Sequence, residues 1–465
     1  MRTPATLLAL ALTVVSLAAC ATAVRGTAVR SPAVIAEDLA RSTKTVVEPD
    51  FVNGTDGSDV DRLAATSITD IQAYWTENFP SVFGGQWEDL RGGFYSVDTA
   101  DADAKAPPCT ESAATISGNA YYCSNGDVIV WDRAALLPVL AERFGGGGVV
   151  LVLAHEMGHA VQQRTGLGRG GDRDSAALYP GIVIEAMADC YAGAFVRWVV
   201  DGNAEHLRID AGELDSLMRA LITFRDPLGT SHREESAHGD AFDRVSAFQD
   251  GYDSGPKLCA DLNATNRAFT QRAFTSAEDE ARGGNLPLPD LLPAISGDLG
   301  TYFSRELSAA GHEWSPPKIE QVADQPRCTG GEQGAVAFCP DQNSVQVREE
   351  GTLGDIHTNI GDFGTGTVLA SRFALGALGA AGKPTTGEPA QRGTLCLAGA
   401  YTGSLLKPQG DFTVSPGDLD EAVQVLLGYD YPARDVDGGS IKSGFDRVSA
   451  FRGGVVGGAK ACDLG

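Results

Sequence analysis

The sequence predicts a helix-dominated α+β fold that occurs twice along the chain. The heptapeptide Phe242–Phe248 recurs letter for letter at Phe445–Phe451. The separation of the two copies, roughly 200 residues, is the length of a domain rather than of a short structural repeat. Apolar residues at helical spacing dominate both halves, whereas Tyr122–Trp131 is typical of a β-hairpin that turns at Asn-Gly.

The match between the halves extends beyond the heptapeptide. Gly212–Asp215 corresponds to Gly417–Asp420, and Cys190–Ala194 corresponds to Cys396–Ala400. We interpret this pattern as a domain duplication, with the first copy at residues 63–262 and the second at 290–465. The acidic stretch 263–289, which contains proline and glycine, is the expected linker, with a helix near 269–282.

The N-terminus has the pattern of an export signal. Arg2 precedes the apolar stretch Leu7–Val15, which is too short to span a membrane as a mature helix. Leu17-Ala18-Ala19-Cys20 resembles a bacterial lipobox, which implies a signal peptide at residues 1–19 and lipid attachment to Cys20. Plain secretion is the alternative. Residues 20–62 show little periodicity and are expected to form a tether and lead-in.

The charge of the chain limits its partners. The formal net charge is −25, and hydrophobic residues make up 43% of the sequence. Nucleic acids and anionic membrane surfaces require clustered lysine and arginine, so both are excluded as partners of the protein surface. We expect an exported protein, held at the outer face of the cell membrane through its lipid anchor.

Eight cysteines follow Cys20, and each copy contains four of them. Even, equivalent sets in an exported chain predict two disulfides per copy, although each set of four allows three pairings. A cysteine-ligated zinc is the alternative, but no pair has CxxC spacing. The preferred pairs join near neighbours: Cys109–Cys123, Cys190–Cys259, Cys328–Cys339 and Cys396–Cys462.

The segment His155-Glu156-Met157-Gly158-His159 predicts a zinc site. Residues four apart lie on the same face of a helix, so both histidines can reach one metal ion. Glu156 lies beside them, where the general base of an HExxH zinc peptidase is found. One Zn²⁺ per chain is therefore the expected cofactor.

A second helical segment supplies the third ligand. Glu185 and Asp189 are four residues apart on an otherwise apolar face, where carboxylates are costly unless paired or metal-bound. We expect Glu185 to bind zinc and Asp189 to accept the free ring N–H of a zinc-bound histidine. Glu185 as a surface charge, with His238 as the third ligand, is the alternative.

At this point the chain resembles a known family. HExxH followed by a helix with Glu-x-x-x-Asp is the gluzincin arrangement. The residues around both motifs resemble those of bacterial neutral zinc metallopeptidases. The shared segments are His155–Gln163, Ala188–Gly193 and the His238-Gly239 pair before an arginine-containing helix. The resemblance covers about residues 67–260. It implies a zincin-like fold and the hydrolysis of peptide or protein substrates. It also implies that Tyr122–Trp131 provides an edge strand that pairs with extended substrate. Packing alone is the alternative explanation of that strand.

The second copy has lost the chemical groups of this site. Its positions corresponding to the histidines, to Glu156 and to the two carboxylates are Phe373, Ala374, Ala377, Gln391 and Leu395. We therefore expect a degenerate, metal-free second domain.

Two interpretations of His238 and of the whole chain remain open. The position of His238 in the second copy is Ile441, so its loss alongside the metal site suggests a catalytic hydrogen bond to an oxyanion; a capping or surface histidine is the alternative. The chain as a whole is expected to be a zinc peptidase. The rival is a catalytically silent binding or scaffold lipoprotein with a structural zinc.

Overall fold

In a computed structural model, residues 32–167, 177–407 and 412–464 are described, and the chain from Pro32 onward forms one compact unit. The expected signal peptide and the expected lipidation site at Cys20 lie outside the described residues. Within the described ranges, no helix is both long and apolar enough to cross a membrane.

The first half consists of helices around a small mixed sheet. The sheet has the order β1-β2-β4-β3, in which only the β3–β4 pair is antiparallel. Its strands are β1 (Val52–Asn53), β2 (Gly93–Val97), β3 (Ala120–Cys123) and β4 (Val128–Asp132). The helices are α1 (Pro32–Ser42), α2 (Asp59–Phe83), α3 (Leu136–Phe144), α4 (Gly146–Arg164), α5 (Gly181–Val200), α6 (Leu214–Thr223), α7 (Ala241–Ser254) and α8 (Pro256–Asp261).

The second half again combines helices with a small mixed sheet, of order β5-β7-β6. The strands are β5 (Lys318–Gln321), β6 (Val336–Cys339) and β7 (Ser344–Val347). The helices are α9 (Ala277–Ala281), α10 (Leu288–Ala309), α11 (Thr352–Asn359), α12 (Asp362–Ala380), α13 (Gly387–Leu405), α14 (Asp418–Gly428) and α15 (Gly444–Gly457). The helix-dominated α+β class is therefore confirmed, as is the β3–β4 hairpin.

The segment expected to be a tether differs from that expectation in its described part. Residues 32–62 include α1, β1 and the first turn of α2. Leu39, Val52 and Val60 are buried in the main core. Burial of widely spaced apolar residues gives this segment its structure, and such burial leaves little periodicity to detect.

The stretch between the halves also differs in detail. Helix is confined to α9, rather than extending over 269–282. The backbone N–H groups of Thr270 and Gln271 donate to the buried carboxylate of Asp243. Those bonds to a neighbouring helix replace the intrahelical bonds that the predicted helix would have needed.

One helix pair packs in the same way in both halves. In α5 and α7, a Cβ at Gly193 would collide with the carbonyl of Phe248. In α13 and α15, a Cβ at Gly399 would collide with the carbonyl of Phe451. Each pair of helices thus approaches closely at a glycine that faces the repeated heptapeptide.

The two halves cap each other's helices reciprocally. The Asp215 carboxylate on α6 accepts the N–H groups of Gly444 and Phe445, which begin α15. The Asp420 carboxylate on α14 accepts the N–H groups that begin α7. The repeated heptapeptide therefore lies where the two halves meet. Its N-terminal N–H groups, which have no partner within the helix, bind an aspartate from the other half.

This reciprocal capping predicts a stability effect. Asp215→Ala should lower the free energy of unfolding by about 1 kcal/mol, the usual effect of removing an N-terminal cap. Ser216→Ala, at the next position of the same helix, is the matched control. The measurement is urea unfolding of the full chain. Equal stabilities for the two variants would contradict the assignment.

The eight cysteines after Cys20 form four disulfides, as predicted from their spacing. The pairs are Cys109–Cys123, Cys190–Cys259, Cys328–Cys339 and Cys396–Cys462. This pairing leaves none of these thiols to ligate zinc. The Cys190–Cys259 bond ties α5, which holds Glu185 and Asp189, to α8.

Candidate metal centre

A close helix contact brings the predicted metal ligands together. Gly158, inside the HExxH segment of α4, faces Ala188 of α5, and a Cβ at Gly158 would lie 2.9 Å from the Ala188 Cα. The absence of that side chain lets the two buried helices approach. Since helical residues four apart share a face, the histidines of α4 then face the carboxylates of α5.

Three potential ligand atoms converge at this contact. His155 Nε2 lies 3.3 Å from Glu185 Oε2, and His159 Nε2 lies 3.4 Å from the same oxygen. All three ligand atoms lie within 4.8 Å of one another. The structure thus assembles the three residues that the sequence predicted as the ligand set.

The other ring nitrogen of each histidine is held by an oxygen. His155 Nδ1 lies 2.8 Å from Asp189 Oδ1, and His159 Nδ1 lies 2.9 Å from Gln162 Oε1. A carboxylate or amide oxygen can only accept, so each Nδ1 carries the proton and each Nε2 is directed toward the shared centre. Two imidazole nitrogens and one carboxylate oxygen, all oriented in this way, fit the donor set of a catalytic zinc site.

A buried arginine completes the support behind His155. Arg244 of α7 donates to both oxygens of Asp189, each at 2.8 Å, and to the carbonyl of Phe224 at 2.7 Å. Burial alone would raise the pKa of Asp189, but Arg244 and His155 lower it to about 2. Asp189 therefore stays ionised and holds the His155 ring in place.

The electrostatics of the ligands favour positive charge at the centre. Burial lowers the pKa of His155, yet Asp189 and Glu185 more than offset it and raise that pKa to about 10. Burial raises the pKa of Glu185, but the two histidines bring it well below its ordinary value. The carboxylates thus stabilise positive charge here, whether as protons on the imidazoles or as a metal ion in their place.

Glu156 lies beside the ligands on the side of the sheet edge. Its side chain is buried, and its Oε2 accepts the backbone N–H of Tyr122 at 2.8 Å. Because β3 is an edge strand, this N–H points away from β4 and toward α4. Burial raises the pKa of Glu156. A carboxylate of raised basicity, held by one hydrogen bond, is suited to accepting a proton.

A cavity of about 510 Å³ opens onto these groups. Its wall includes both histidines, Glu156, Glu185 and residues of the β3 edge. Its size falls within the range of ligand-binding clefts. The three convergent side chains therefore face open space rather than packed core.

His238 lies on the wall of this cavity but outside the group of three ligand atoms. Its side chain is 48% exposed, and its Nδ1 lies 3.2 Å from Asp226 Oδ1. The hydrogen bond that His238 donates to Asp226 raises the pKa of His238. The structure thus brings this residue near the centre at a position open to solvent, where a role at an oxyanion stays a prediction.

The counterpart positions in the second half are filled by packing. Phe373, Ala374, Ala377 and Leu395 are buried in the apolar core, and Gln391 Nε2 donates to Asp435 at 2.8 Å. These five positions are thus occupied by core packing and one side-chain hydrogen bond, and the metal-free second domain stays a prediction.

Three contributors to the site were absent from the sequence interpretation. No sequence pattern marks Gln162 as a partner of His159, and Tyr122 contributes through its backbone. The recurrence of Arg244 as Arg447 in the second copy predicts a structural role, such as pairing with an acid inside the fold, and Arg244 does pair with Asp189. In the structure, however, Arg447 donates to the carbonyls of Leu426, Ile441 and Lys442. The one sequence signal was that Leu395 occupies the position corresponding to Asp189. Arg447 therefore has no equivalent carboxylate to bind, and its partners must differ from those of Arg244.

The geometry predicts a measurable role for Gln162. Its Oε1 orients His159, and its Nε2 donates to the Ile184 carbonyl at 2.6 Å. Gln162→Ala should weaken zinc affinity roughly 10–100-fold, the usual effect of losing such a supporting hydrogen bond. The exposed neighbour Gln163→Ala is the control, and competition with a chromogenic chelator is the measurement. Equal affinities in the two variants would contradict this role.

Comparison with known proteins gives relatives without assigned functions. Three uncharacterized proteins, one from Mycobacterium bovis and two from strains of Mycobacterium tuberculosis, are each 29% identical to this chain over 164 residues. Each alignment covers 31% of this chain and 56% of the relative, so the chain spans just over half the length of the curated relatives it matches. No family model matches the chain, and no solved structure matches it.

Proposed function

We propose that this protein is a zinc-dependent peptidase with a zincin-like first domain and a degenerate, duplicated second domain. The observation that carries the proposal is the ligand geometry. His155 Nε2, His159 Nε2 and a Glu185 oxygen converge, each Nδ1 is held by an oxygen, and Glu156 lies next to them at a cavity. A structural zinc site would be closed by four protein ligands, whereas three converge among the described residues.

The residues around the centre would have different roles in the proposed reaction. When bound, zinc would supply a Lewis acid that polarises a peptide carbonyl and makes water more acidic. Glu156 would take the proton of the attacking water and pass it to the leaving amine. Asp189 and Gln162 would keep the two imidazoles in one tautomer, and Arg244 would keep Asp189 ionised and fixed.

The edge strand β3 supports a peptide as the substrate. Among the described strands β3 pairs only with β4, and its residues Ala120, Tyr121 and Tyr122 line the cavity wall. An extended peptide can add to such an edge through main-chain hydrogen bonds, which recognise any sequence. The resemblance to neutral zinc metallopeptidases points to the same class of substrate.

Export and lipid anchoring at Cys20 are part of the proposal. Four disulfides favour an oxidising compartment over the cytosol. The N-terminal pattern accounts for how the chain would reach that compartment. Expression of the Cys20→Ser variant tests the anchor. It should appear in the soluble envelope fraction, whereas the wild type should stay with membranes; identical fractionation would contradict lipidation.

The test of the proposed activity combines metal content with cleavage. The full chain should contain one zinc by mass spectrometry, and it should cut members of a peptide library. A chelator should abolish cleavage, and added zinc should restore it. Retained zinc without any cleavage would favour the rival function, a silent binding or scaffold lipoprotein. Two zinc ions per chain would contradict the assignment of the second half as zinc-free.

A further inference from the structure

A second cluster of buried carboxylates lies in the second half. Asp362 is the first residue of α12, and Asp418 and Glu421 lie in the first turn of α14. Their side chains are at most 6% exposed. One oxygen of each lies within 4.8 Å of the oxygens of the other two. Three acids so close together inside a protein require positive charge or protons between them.

One oxygen of each carboxylate in this cluster accepts a hydrogen bond from a backbone N–H. Asp362 Oδ2 accepts the N–H of Leu286, Asp418 Oδ2 accepts that of Ser415, and Glu421 Oε2 accepts that of Phe363. The other oxygens of the two aspartates, Asp362 Oδ1 and Asp418 Oδ1, are buried without a hydrogen-bond partner among the described residues. Leaving such oxygens unpaired costs about 1–3 kcal/mol each, and more when they are charged.

Among the described residues, the basic side chain that acts on Asp362 is already engaged by another acid. Arg282 interacts with Asp362 from a distance, but its guanidinium binds Glu278 at 2.8 Å. Asp279 adds a further negative charge beside the cluster. Burial, together with the neighbouring carboxylates, raises the pKa of Asp362 to about 6 and that of Glu421 to about 8.

We propose that Asp362, Asp418 and Glu421 bind a divalent cation of the hard, oxygen-preferring class, namely Ca²⁺. The two unpaired oxygens supply the second observation, because both belong to buried carboxylates of the cluster and neither has a donor among the described residues. Ca²⁺ binds oxygens at about 2.3–2.6 Å, so oxygens on opposite sides of one ion lie about 5 Å apart. Carboxylate oxygens without nitrogen or sulfur ligands favour Ca²⁺ or Mg²⁺ over zinc.

This cation site differs from the proposed zinc centre in chemistry and in position. The corresponding positions in the first half are Glu213 for Asp418, Ser216 for Glu421 and, by the offset that pairs His155 with Phe373, Phe144 for Asp362. The first half therefore cannot form the trio. The second half, predicted to be metal-free from its lost HExxH segment, would instead hold a different ion at the start of the corresponding helix.

A cation here would act as a structural clamp. Asp362 accepts the backbone N–H of Leu286 in the joining segment, while Glu421 of α14 accepts the N–H of Phe363, the second residue of α12. The neighbouring Asp420 caps α7 of the first half. One ion bound to the three carboxylates would thus connect the joining segment and two helices beside the contact between the halves. Since an unfolded chain cannot present the three acids together, binding would stabilise the fold.

The test uses the full chain, stripped with a chelator and titrated with CaCl₂. The melting temperature should rise by several degrees with saturation at one Ca²⁺, as measured by calorimetric titration. The triple variant Asp362→Asn, Asp418→Asn, Glu421→Gln keeps acceptor oxygens for the three backbone N–H groups and removes the buried charge. It should fold without calcium and show no calcium response.

Two controls separate this site from general effects and from the zinc centre. Asp355→Asn, an exposed carboxylate on α11, should respond to calcium like the wild type. The His155→Ala, His159→Ala double variant should also respond, because its cation site is intact even if the proposed peptidase function fails. A calcium response in the triple variant equal to that of the wild type would overturn the site. The absence of any calcium response in the wild type would also overturn the site. Binding of MgCl₂ but not CaCl₂ would overturn the choice of ion.

Discussion

Replacing Glu156 with glutamine should leave about one zinc bound per chain and reduce peptide hydrolysis by roughly 10²–10⁴-fold, the contribution of general-base catalysis. Glutamine has nearly the same shape, and its Oε1 can still accept the Tyr122 N–H that now binds Oε2 at 2.8 Å. What it cannot do is take a proton from water at neutral pH. The fold and the metal ligands should therefore remain while the chemical step is lost.

The comparison requires zinc content and turnover to be measured on the same preparation. Glu205→Gln, an exposed glutamate of the first half that lies outside the cavity wall, is the matched control and should keep full activity. If Glu156→Gln cleaves the library peptides as fast as the wild type does, the proposed mechanism is wrong. If it loses zinc as well as activity, Glu156 has a role in metal binding that the geometry does not assign to it.

Removing Glu185 should release zinc about as completely as removing His159, because each supplies one of three converging ligand atoms. Glu185→Ala also leaves two buried histidines without their shared carboxylate, which lies 3.3 Å and 3.4 Å from their Nε2 atoms. Asp189→Asn should be milder, at roughly 10–100-fold in zinc affinity, because the residue acts only through His155. An asparagine oxygen can still accept from the ring or from Arg244.

This ranking of the variants distinguishes a ligand from a supporting residue. Zinc affinity is measured by chelator competition at one pH, with circular dichroism to show that each variant is folded. Unchanged zinc content in Glu185→Ala would transfer the ligand role to another group, His238 being the sequence alternative. Equal losses of zinc affinity in Glu185→Ala and Asp189→Asn would contradict the proposal that Glu185 is a ligand and Asp189 a supporting residue.

The ligand set was predictable because its members are locally spaced. His155 and His159, like Glu185 and Asp189, are pairs four residues apart, and helical geometry alone places each pair on one face. The absence of counterparts in the second half linked the two pairs before any contact was known. Disulfide pairing was predictable for a similar reason, since each bond joins neighbours within one half of the chain.

The supporting contacts were not predictable, because they join segments far apart in sequence. Arg244 reaches Asp189 across 55 positions, and the Tyr122 N–H reaches Glu156 across 34. A backbone donor has no signature in the sequence. The helix that begins with Asp362 and the helix that contains Asp418 meet only in the folded chain, so the buried acidic trio was likewise not detectable as a cluster.

Residue spacing within single helices thus determined the helix-rich class and the candidate metal ligands on α4 and α5, and the order of the cysteines in each half favoured the observed disulfide pairs. Only the tertiary structure decided how the two halves meet, because the caps that Asp215 and Asp420 provide cross from one half to the other. It also decided which polar groups became buried without partners. Burial and the direction of a hydrogen bond depend on every segment that packs nearby, whereas helical periodicity depends only on the chain within a few turns.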